Sequence, residues 1–348
     1  TELSERCAAR GHSAFACELG AGFPPFFPPL TDRDNAFSVL TALAYGLRGF
    51  NAYMVVERDR WIGAPIDPAG KIRPSAEAWR KLLAALDRTS FAELRRDAAV
   101  HIVIPRSFRR LSRVCHAFGP LSAALFQVLG GGAQEACFED DFGLGASVVI
   151  ETERFARQLE HALDSARIPW AVVGGDLIER SLERAKWVVV ASTGTLEPEI
   201  VASIERAWKS DAALSLGPYL PHRDPTFLPI SAPPGLPTGD RAVPGLVGLG
   251  AESMAAMVAQ AKAALGLPTL DLSPSELLST LHVDVAGTAR VMFVINPTGW
   301  AAEATLGSAG ARLAIDALDG TRFEARSGSL CVQVSGRSVR MLELVHGD

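Results

Sequence analysis

The chain has 348 residues, 48% of them apolar and 21% charged, with a formal net charge of −5. That is enough apolar chain to fill two or three cored domains, and the mild acidity without a dense basic stretch excludes nucleic acid as a partner. No apolar run reaches the ~18 residues a membrane-spanning helix needs, and no signal peptide is visible, so no membrane partner is expected.

The first informative stretch is AFACELGAGFPPFFPP, Ala14 to Pro29. It reads as a buried strand that ends on Glu18 and breaks into glycines and prolines, the place where α/β barrels keep their reacting groups. Glu18 is therefore a candidate reacting group; the alternative is a strand-end glutamate that forms a salt bridge or faces water. A helix follows from Thr31, which can cap it with Asp34 three residues on, and Phe37, Leu40, Leu43 and Leu47 recur at helical spacing. GFNAYMVV, Gly49 to Val56, reads as a second buried strand. A charged and aromatic loop comes next, Glu57 to Trp61, and then APIDPAG, Ala64 to Gly70. Ser75 to Leu86 is amphipathic, with Trp79, Leu82, Leu83 and Leu86 on one side and Ser75 as its cap. Strand, helix, strand, helix makes two βα units.

These residues resemble the last two βα units of the catalytic barrel in family 35 glycoside hydrolases, the retaining β-galactosidases, and to a lesser degree their family 42 relatives. The likeness rests on an acid at a strand end with a glycine and an aromatic after it (Glu18, Gly22, Phe23). It also rests on an Asn-x-Tyr-Met strand (Asn51, Tyr53, Met54) and on an Ala-Pro-Ile then Gly loop (Ala64, Pro65, Ile66, Gly70). The resemblance implies that Glu18 is the catalytic nucleophile and that Asn51 and Tyr53 lie near the sugar. Where that family has a Gly-Gly-Thr-Asn-Phe-Gly run, this chain has Val55 to Trp61. Tyr53 and Trp61 suit a sugar's CH faces and Phe23 is a further substrate-binding candidate, while Glu57, Arg58 and Asp59 are candidates either for hydroxyl hydrogen bonds or for a salt-bridged rim.

Retaining hydrolysis needs a second carboxyl group about 5 Å from the nucleophile. The family carries it after an asparagine, and this chain contains no Asn-Glu pair. A complete barrel takes about 250 residues, and fewer than a hundred here resemble one. The expectation is the C-terminal part of a longer glycosidase, inactive alone, whose partners are a carbohydrate substrate and the missing barrel portion on the same or a separate chain. A homo-oligomer is also compatible with this reading.

From Ala98 a new pattern begins. VHIVIP (Val100 to Pro105), ASVVI (Ala146 to Ile150), PWAVVGG (Pro169 to Gly175), KWVVVAS (Lys186 to Ser192) and AALSLGP (Ala212 to Pro218) read as strands. Helical patterns lie between them, at Phe108 to Leu129, Thr152 to Ala166, Leu177 to Ala185 and Glu197 to Ser210, with a Gly-rich and acidic break at Gly130 to Gly145. Short continuous apolar strands alternating with helices indicate a parallel sheet covered on both faces, hence a doubly wound α/β domain. Its layout resembles the flavodoxin-like, amidotransferase-like domain that follows the barrel in family 42-type enzymes, where it serves oligomer contact. None of the cysteines stands on the Gly-x-Cys-x-Gly turn an amidotransferase needs, and Ser192, Thr193 and Gly194 read as a polar loop or helix cap.

Leu220 to Gly245 is a long Pro/Gly-rich loop, either a surface linker or a segment that brings His222, Arg223 or Asp224 to a sugar. Helices are expected at Glu252 to Leu265 and at Leu270 to Leu281, the latter opened by a Ser273 to Glu276 capping box. From Val283 the pattern alternates apolar with polar, as in an antiparallel β-sandwich with hairpin turns at Asp319-Gly320 and Ser335-Gly336. Trp300 there either stacks on a sugar or packs at an interface.

The expected fold is thus α/β multidomain: a partial TIM-barrel end (1–92), a flavodoxin-like α/β domain with its loop (93–245), a helical connector (246–282) and a β-sandwich (283–348). Cys7, Cys17, Cys115, Cys137 and Cys331, odd in number and irregular in spacing, read as free thiols of a reducing, cytoplasmic setting or as buried small apolar residues. Cys7, His12 and Cys17 fit no common zinc spacing, and no metal or cofactor is expected. The leading functional reading is a portion of a retaining β-galactosidase-like hydrolase. A non-catalytic carbohydrate-binding or oligomerisation module is the alternative.

Overall fold

The computed structural model describes residues 2–23, 31–58, 61–105, 148–174, 182, 184–224, 228–231 and 251–347. Along the chain run α1 (Glu2–Ala9), β1 (Phe15–Gly20), α2 (Asp32–Ala44), β2 (Gly49–Tyr53), α3 (Ser75–Arg88), β3 (Arg95–Arg96) and β4 (Val100–Ile104). Then come α4 (Val148–Ser165), β5 (Trp170–Gly174), β6 (Trp187–Thr195), α5 (Pro198–Lys209), β7 (Ala213–Arg223) and α6 (Ala251–Leu265). The remaining strands are β8 (Leu272–Ser273), β9 (Leu278–Val283), β10 (Ala289–Asn296), β11 (Ala302–Gly307), β12 (Leu313–Asp316), β13 (Arg322–Glu324), β14 (Ser329–Val334) and β15 (Ser338–Val345). The chain divides into two compact units, Thr1–Gly11 with Ala98–Thr269 and His12–Asp97 with Leu270–Asp348. No helix among the described residues is long and apolar enough to cross a membrane.

In the first unit, four parallel strands lie in the order β5-β4-β6-β7. Alternation along each strand sends side chains to two cores. Val100, Ile102, Trp187 and Val189 pack with Leu159 and Leu163 of α4 and with Met254 and Val258 of α6. Val103, Val188 and Val190 pack with Ile200 and Ile204 of α5 on the other face. Burial on both faces is what continuous apolar runs specify. The indole of Trp187, fully buried, donates to Ser215 Oγ at 2.9 Å and so leaves no orphan donor in the core. Two expectations are corrected here. Val148–Ile150, read as strand, open α4, whose helical hydrogen bonding continues through Ser165. Leu220–Arg223, read as loop, continue β7, where Thr195 pairs with Arg223 and ladder hydrogen bonds override the local proline. The helical patterns at 108–129, the break at 130–145, most of 177–185 and the loop at 232–250 lie outside the described residues.

The second unit holds three sheets: β1-β2 parallel, β13-β12-β15-β10-β9-β3, and β14-β11-β8. The six-stranded sheet has two buried faces. Val291, Phe293 and Ile295 of β10 pack with Leu40 and Leu43 of α2 and Leu82 of α3. The intervening Met292 and Val294 pack with Leu306, Leu330 and Val332 of the three-stranded sheet, which makes an antiparallel sandwich. Each fully buried side chain of this size contributes about 1.5–3 kcal/mol of transfer free energy.

Several sequence expectations meet this architecture differently. Thr31 does cap α2, its Oγ1 accepting from Asp34 N at 3.2 Å. Ser75 does not cap α3: it is the first helical residue after Pro74, and no side chain caps that end. Leu83 is 54% exposed, and Ala85 takes its place on the buried side. Leu270–Leu281 is not a helix. Leu278–Val283 pair with β10 and Leu272–Ser273 with β11, so long-range ladders outweigh a local capping signal. Asp319-Gly320 closes the β12–β13 hairpin, with Gly320 at φ +78 and its N–H donating to Asp316 O at 2.9 Å. Ser335-Gly336 instead carries the chain from β14 in one sheet to β15 in the other, so it is not a hairpin turn. Phe15 is 53% exposed and Val55 and Val56 lie at the surface beyond β2, because a sheet of only two strands does not enclose them.

The polar tie of this unit is His282, fully buried in β9. Its Nδ1 accepts from Arg48 Nη2 at 2.8 Å and its Nε2–H donates to Ala44 O at 3.0 Å. Arginine can only donate, so the neutral Nε2–H tautomer is the one that satisfies both. Arg48 Nε donates to Leu94 O at 2.7 Å, and its guanidinium lies 4.5 Å from the centre of the Phe91 ring. Burial first, and then the charges of Arg48 and Arg96, hold the imidazole well below its usual 6.5. The unfolded chain takes up a proton near that value while the folded chain does not, so this histidine adds nothing unfavourable above it and costs stability as pH falls below it. One proton accounts for up to about 1.4 kcal/mol per pH unit. Between about pH 7.5 and pH 5.5, wild type should lose about 1 kcal/mol more stability than His282→Gln in urea unfolding, and equal losses would show that His282 protonates freely in the fold.

Candidate active site

Glu18, Asn51 and Tyr53 belong to the two strands of the small parallel sheet, and Phe23, Glu57 and Trp61 to the loops that follow them. The register pairs Ala16 with Phe50 and Leu19 with Ala52, so Cys17 and Glu18 together face the single residue Asn51. This is a bulge, a device that re-aims side chains and is common beside reacting groups. Glu18 and Asn51 are both exposed. The strand does not end on Glu18; it runs on to Gly20. Nor is it buried, since Cys17 and Glu18 both reach the surface.

Past the strand ends the two loops are laced together. Ala21 N donates to Tyr53 O, and Phe23 and Ile62 exchange backbone hydrogen bonds, all at 2.9 Å. Gly22 is required by this approach: a Cβ there would stand 3.0 Å from Met54 O and 3.1 Å from Ala64 Cβ. The rings of Tyr53 and Trp61 meet edge to face, 5.0 Å between centres and 86° between planes, which holds both half-buried rings in one orientation. Phe23 belongs to the other loop, after β1, and is tied to Ile62 through its backbone.

Glu57 has a structural partner that the sequence did not suggest. Its carboxylate pairs with Arg73 and accepts from Gly63 N at 3.1 Å, while Arg73 Nη1 also donates to Ala64 O at 2.9 Å. The hydrogen bond from Arg73 holds the Glu57 carboxyl below its usual 4.5. Of the two roles expected for this acid, the salt-bridged rim is the one whose geometry is present. Arg73, three residues beyond the Ala64–Gly70 loop, was visible only as a basic residue before a helix. Asp59 lies outside the described residues.

Elsewhere, Trp300 is 66% exposed, not packed, and its carbonyl accepts from Asn296 Nδ2 at 2.9 Å. His222 Nδ1 lies 3.0 Å from Leu220 O in the first unit. Cys7, Cys17 and Cys331 are free thiols. Among the described residues no cluster of His, Cys, Asp and Glu is placed to hold a metal ion.

No family model and no curated protein matches the sequence. Solved structures do match in fold. Gan42B, a GH42 β-galactosidase from G. stearothermophilus, superposes with a TM-score of 0.61 at 11% identity, over 94% of this chain and 53% of its own. The β-galactosidase from Bacillus circulans sp. alkalophilus gives 0.59 at 14% identity, over 96% and 56%. The α-L-fucosidase isoenzyme 2 from Paenibacillus thiaminolyticus gives 0.54 at 11% identity, over 99% and 62%. The chain thus has the fold of part of such glycosidases and spans about half the length of the first of them.

The Glu57–Arg73 pair yields a direct test. Its stabilisation is present above the usual carboxyl value of 4.5 and fades as pH falls through the lowered folded value. Arg73→Met should move the Glu57 titration up toward 4.5 by carboxyl NMR and speed proteolysis in the 57–66 loop, and an unmoved titration would mean that Arg73 does not hold this acid.

Proposed function

We propose that this chain is the C-terminal portion of a retaining glycoside hydrolase acting on terminal β-glycosides, with Glu18 as its nucleophile. Likeness in fold to GH42 β-galactosidases over 94% of the chain, together with an exposed acid on a bulge of the strand that pairs with the one carrying Tyr53, supports this reading. In it, β1 and β2 are the last two staves of a (β/α)8 barrel, β4 to β7 form the flavodoxin-like domain, and the antiparallel sheets form the closing sandwich. The remaining staves, on the same or another polypeptide, lie along the open edges of the β1–β2 sheet and contribute the acid/base carboxyl.

The chemistry follows from the groups. The Glu18 carboxylate attacks the anomeric carbon as the acid/base group protonates the departing oxygen, so one C–O bond forms while another breaks. Water then attacks the glycosyl ester, its proton passing to the same acid/base group, and Glu18 leaves as carboxylate. Asn51 hydrogen-bonds a sugar hydroxyl near the nucleophile. The Tyr53 and Trp61 rings, with Phe23, pack against CH faces, and Glu57 either reaches a hydroxyl or holds the loop that carries Trp61. A non-catalytic carbohydrate-binding module is the second reading. It is favoured by Glu18 making no side-chain hydrogen bond or ion pair among the described residues, whereas a working nucleophile is held in place.

The test uses this chain together with the polypeptide that completes the barrel. Glu18→Gln should lower turnover of an aryl β-galactoside about a thousandfold or more while leaving ligand binding within about threefold. Trp61→Ala should weaken binding about tenfold or more. Normal turnover in Glu18→Gln would remove the assignment, and sugar binding without turnover in the completed wild type would favour the module.

A further inference from the structure

The second unit contains a cleft of 430 Å³ that Glu18, Asn51, Tyr53 and Trp61 do not line, although Phe23 belongs to both. Its floor is apolar, made by Val39 and Leu40 of α2, Leu82 of α3 and the buried Ala21. The aromatic rings of Phe23 and Trp79 and the half-buried Leu318 wall it. This volume lies in the range of small-molecule pockets, about 300–1,000 Å³, and the apolar lining with a few polar groups is what such sites share.

The rim decides the ligand's character. Two of its acids are already compensated, Asp319 by Arg340 and Glu77 by Arg80. Four other polar groups lie open: the Asp32 carboxylate, the Lys81 ammonium, the Asn35 amide and the Ser75 hydroxyl. None of the four makes a side-chain hydrogen bond or ion pair among the described residues. Opposite charges balance across that rim, so it favours neither a cation nor an anion as a whole. We propose that the cleft is a binding site for a small amphipathic molecule with a flat ring body and a neutral or zwitterionic polar end. The ring lies between Phe23 and Trp79 over the floor, while the polar end meets Asn35, Ser75 and the Asp32/Lys81 pair. The assignment stands whether or not the chain takes part in glycoside hydrolysis.

Indole and L-tryptophan are suitable probes, one supplying the ring alone and the other adding a zwitterion. Titration of the full chain by ligand-observed NMR should show saturable binding with a Kd of about 0.1–1 mM, tighter for tryptophan. Ala36→Trp and Ala78→Trp place a ring in the cleft from partly or fully exposed helix positions. Each should weaken both probes by about tenfold or more, with the urea midpoint unchanged. Lys81→Ala should weaken tryptophan and leave indole unaltered. No saturable binding, or equal binding to wild type and to both filled variants, would overturn the assignment.

Discussion

The six-stranded sheet must bury both of its faces, and the rest of the second unit follows from that constraint. Successive residues of β10 point to opposite sides, so Phe293 commits one face to α2 and α3 while Met292 and Val294 commit the other to the three-stranded sheet. A one-residue slip would exchange the two sets, which fixes the register strongly. Two βα elements and a sandwich that are far apart in the chain thereby share one middle layer.

His282 marks where that layer meets the small parallel sheet. Arg48 lies at the entry to β2, and its side chain reaches the imidazole, the Leu94 carbonyl and the Phe91 ring. The strand that carries Asn51 and Tyr53 therefore starts from an anchored point. Its far end is held differently, by backbone exchange between the loops after β1 and β2 and by the Glu57–Arg73 pair. The catalytic role proposed for Glu18 would need such support, because an error of an ångström in position costs orders of magnitude in rate. Glu18 and Asn51 thus lie on a short sheet that is fixed at both ends, although its edges and Phe15 remain open.

The parallel sheet of the first unit contrasts with this. Its strands are buried on both sides by helices, with polar atoms such as the Trp187 indole and Ser215 satisfied internally. The two sheets illustrate the same rule from opposite sides: parallel strands are stable where both faces are covered.

Much was legible in the sequence because some signals are local. The Thr31 cap, the apolar runs of β4, β5 and β6, the Asp319-Gly320 turn and the alternation of β10 each depend on near neighbours, so residue type and spacing determined them. The parallel pairing of the strands that carry Glu18 and Asn51 was likewise readable, since a βα unit returns the chain to the same sheet. Only the tertiary structure decided what depends on distant partners. Leu278–Val283 became a strand because β10 offered a ladder, Leu83 faced water because Ala85 fitted the core, and Glu57 gained an ion-pair partner because Arg73 folded back to it. Long-range ladders and ion pairs join residues whose separation in sequence carries no periodic signal, and no local pattern specifies them.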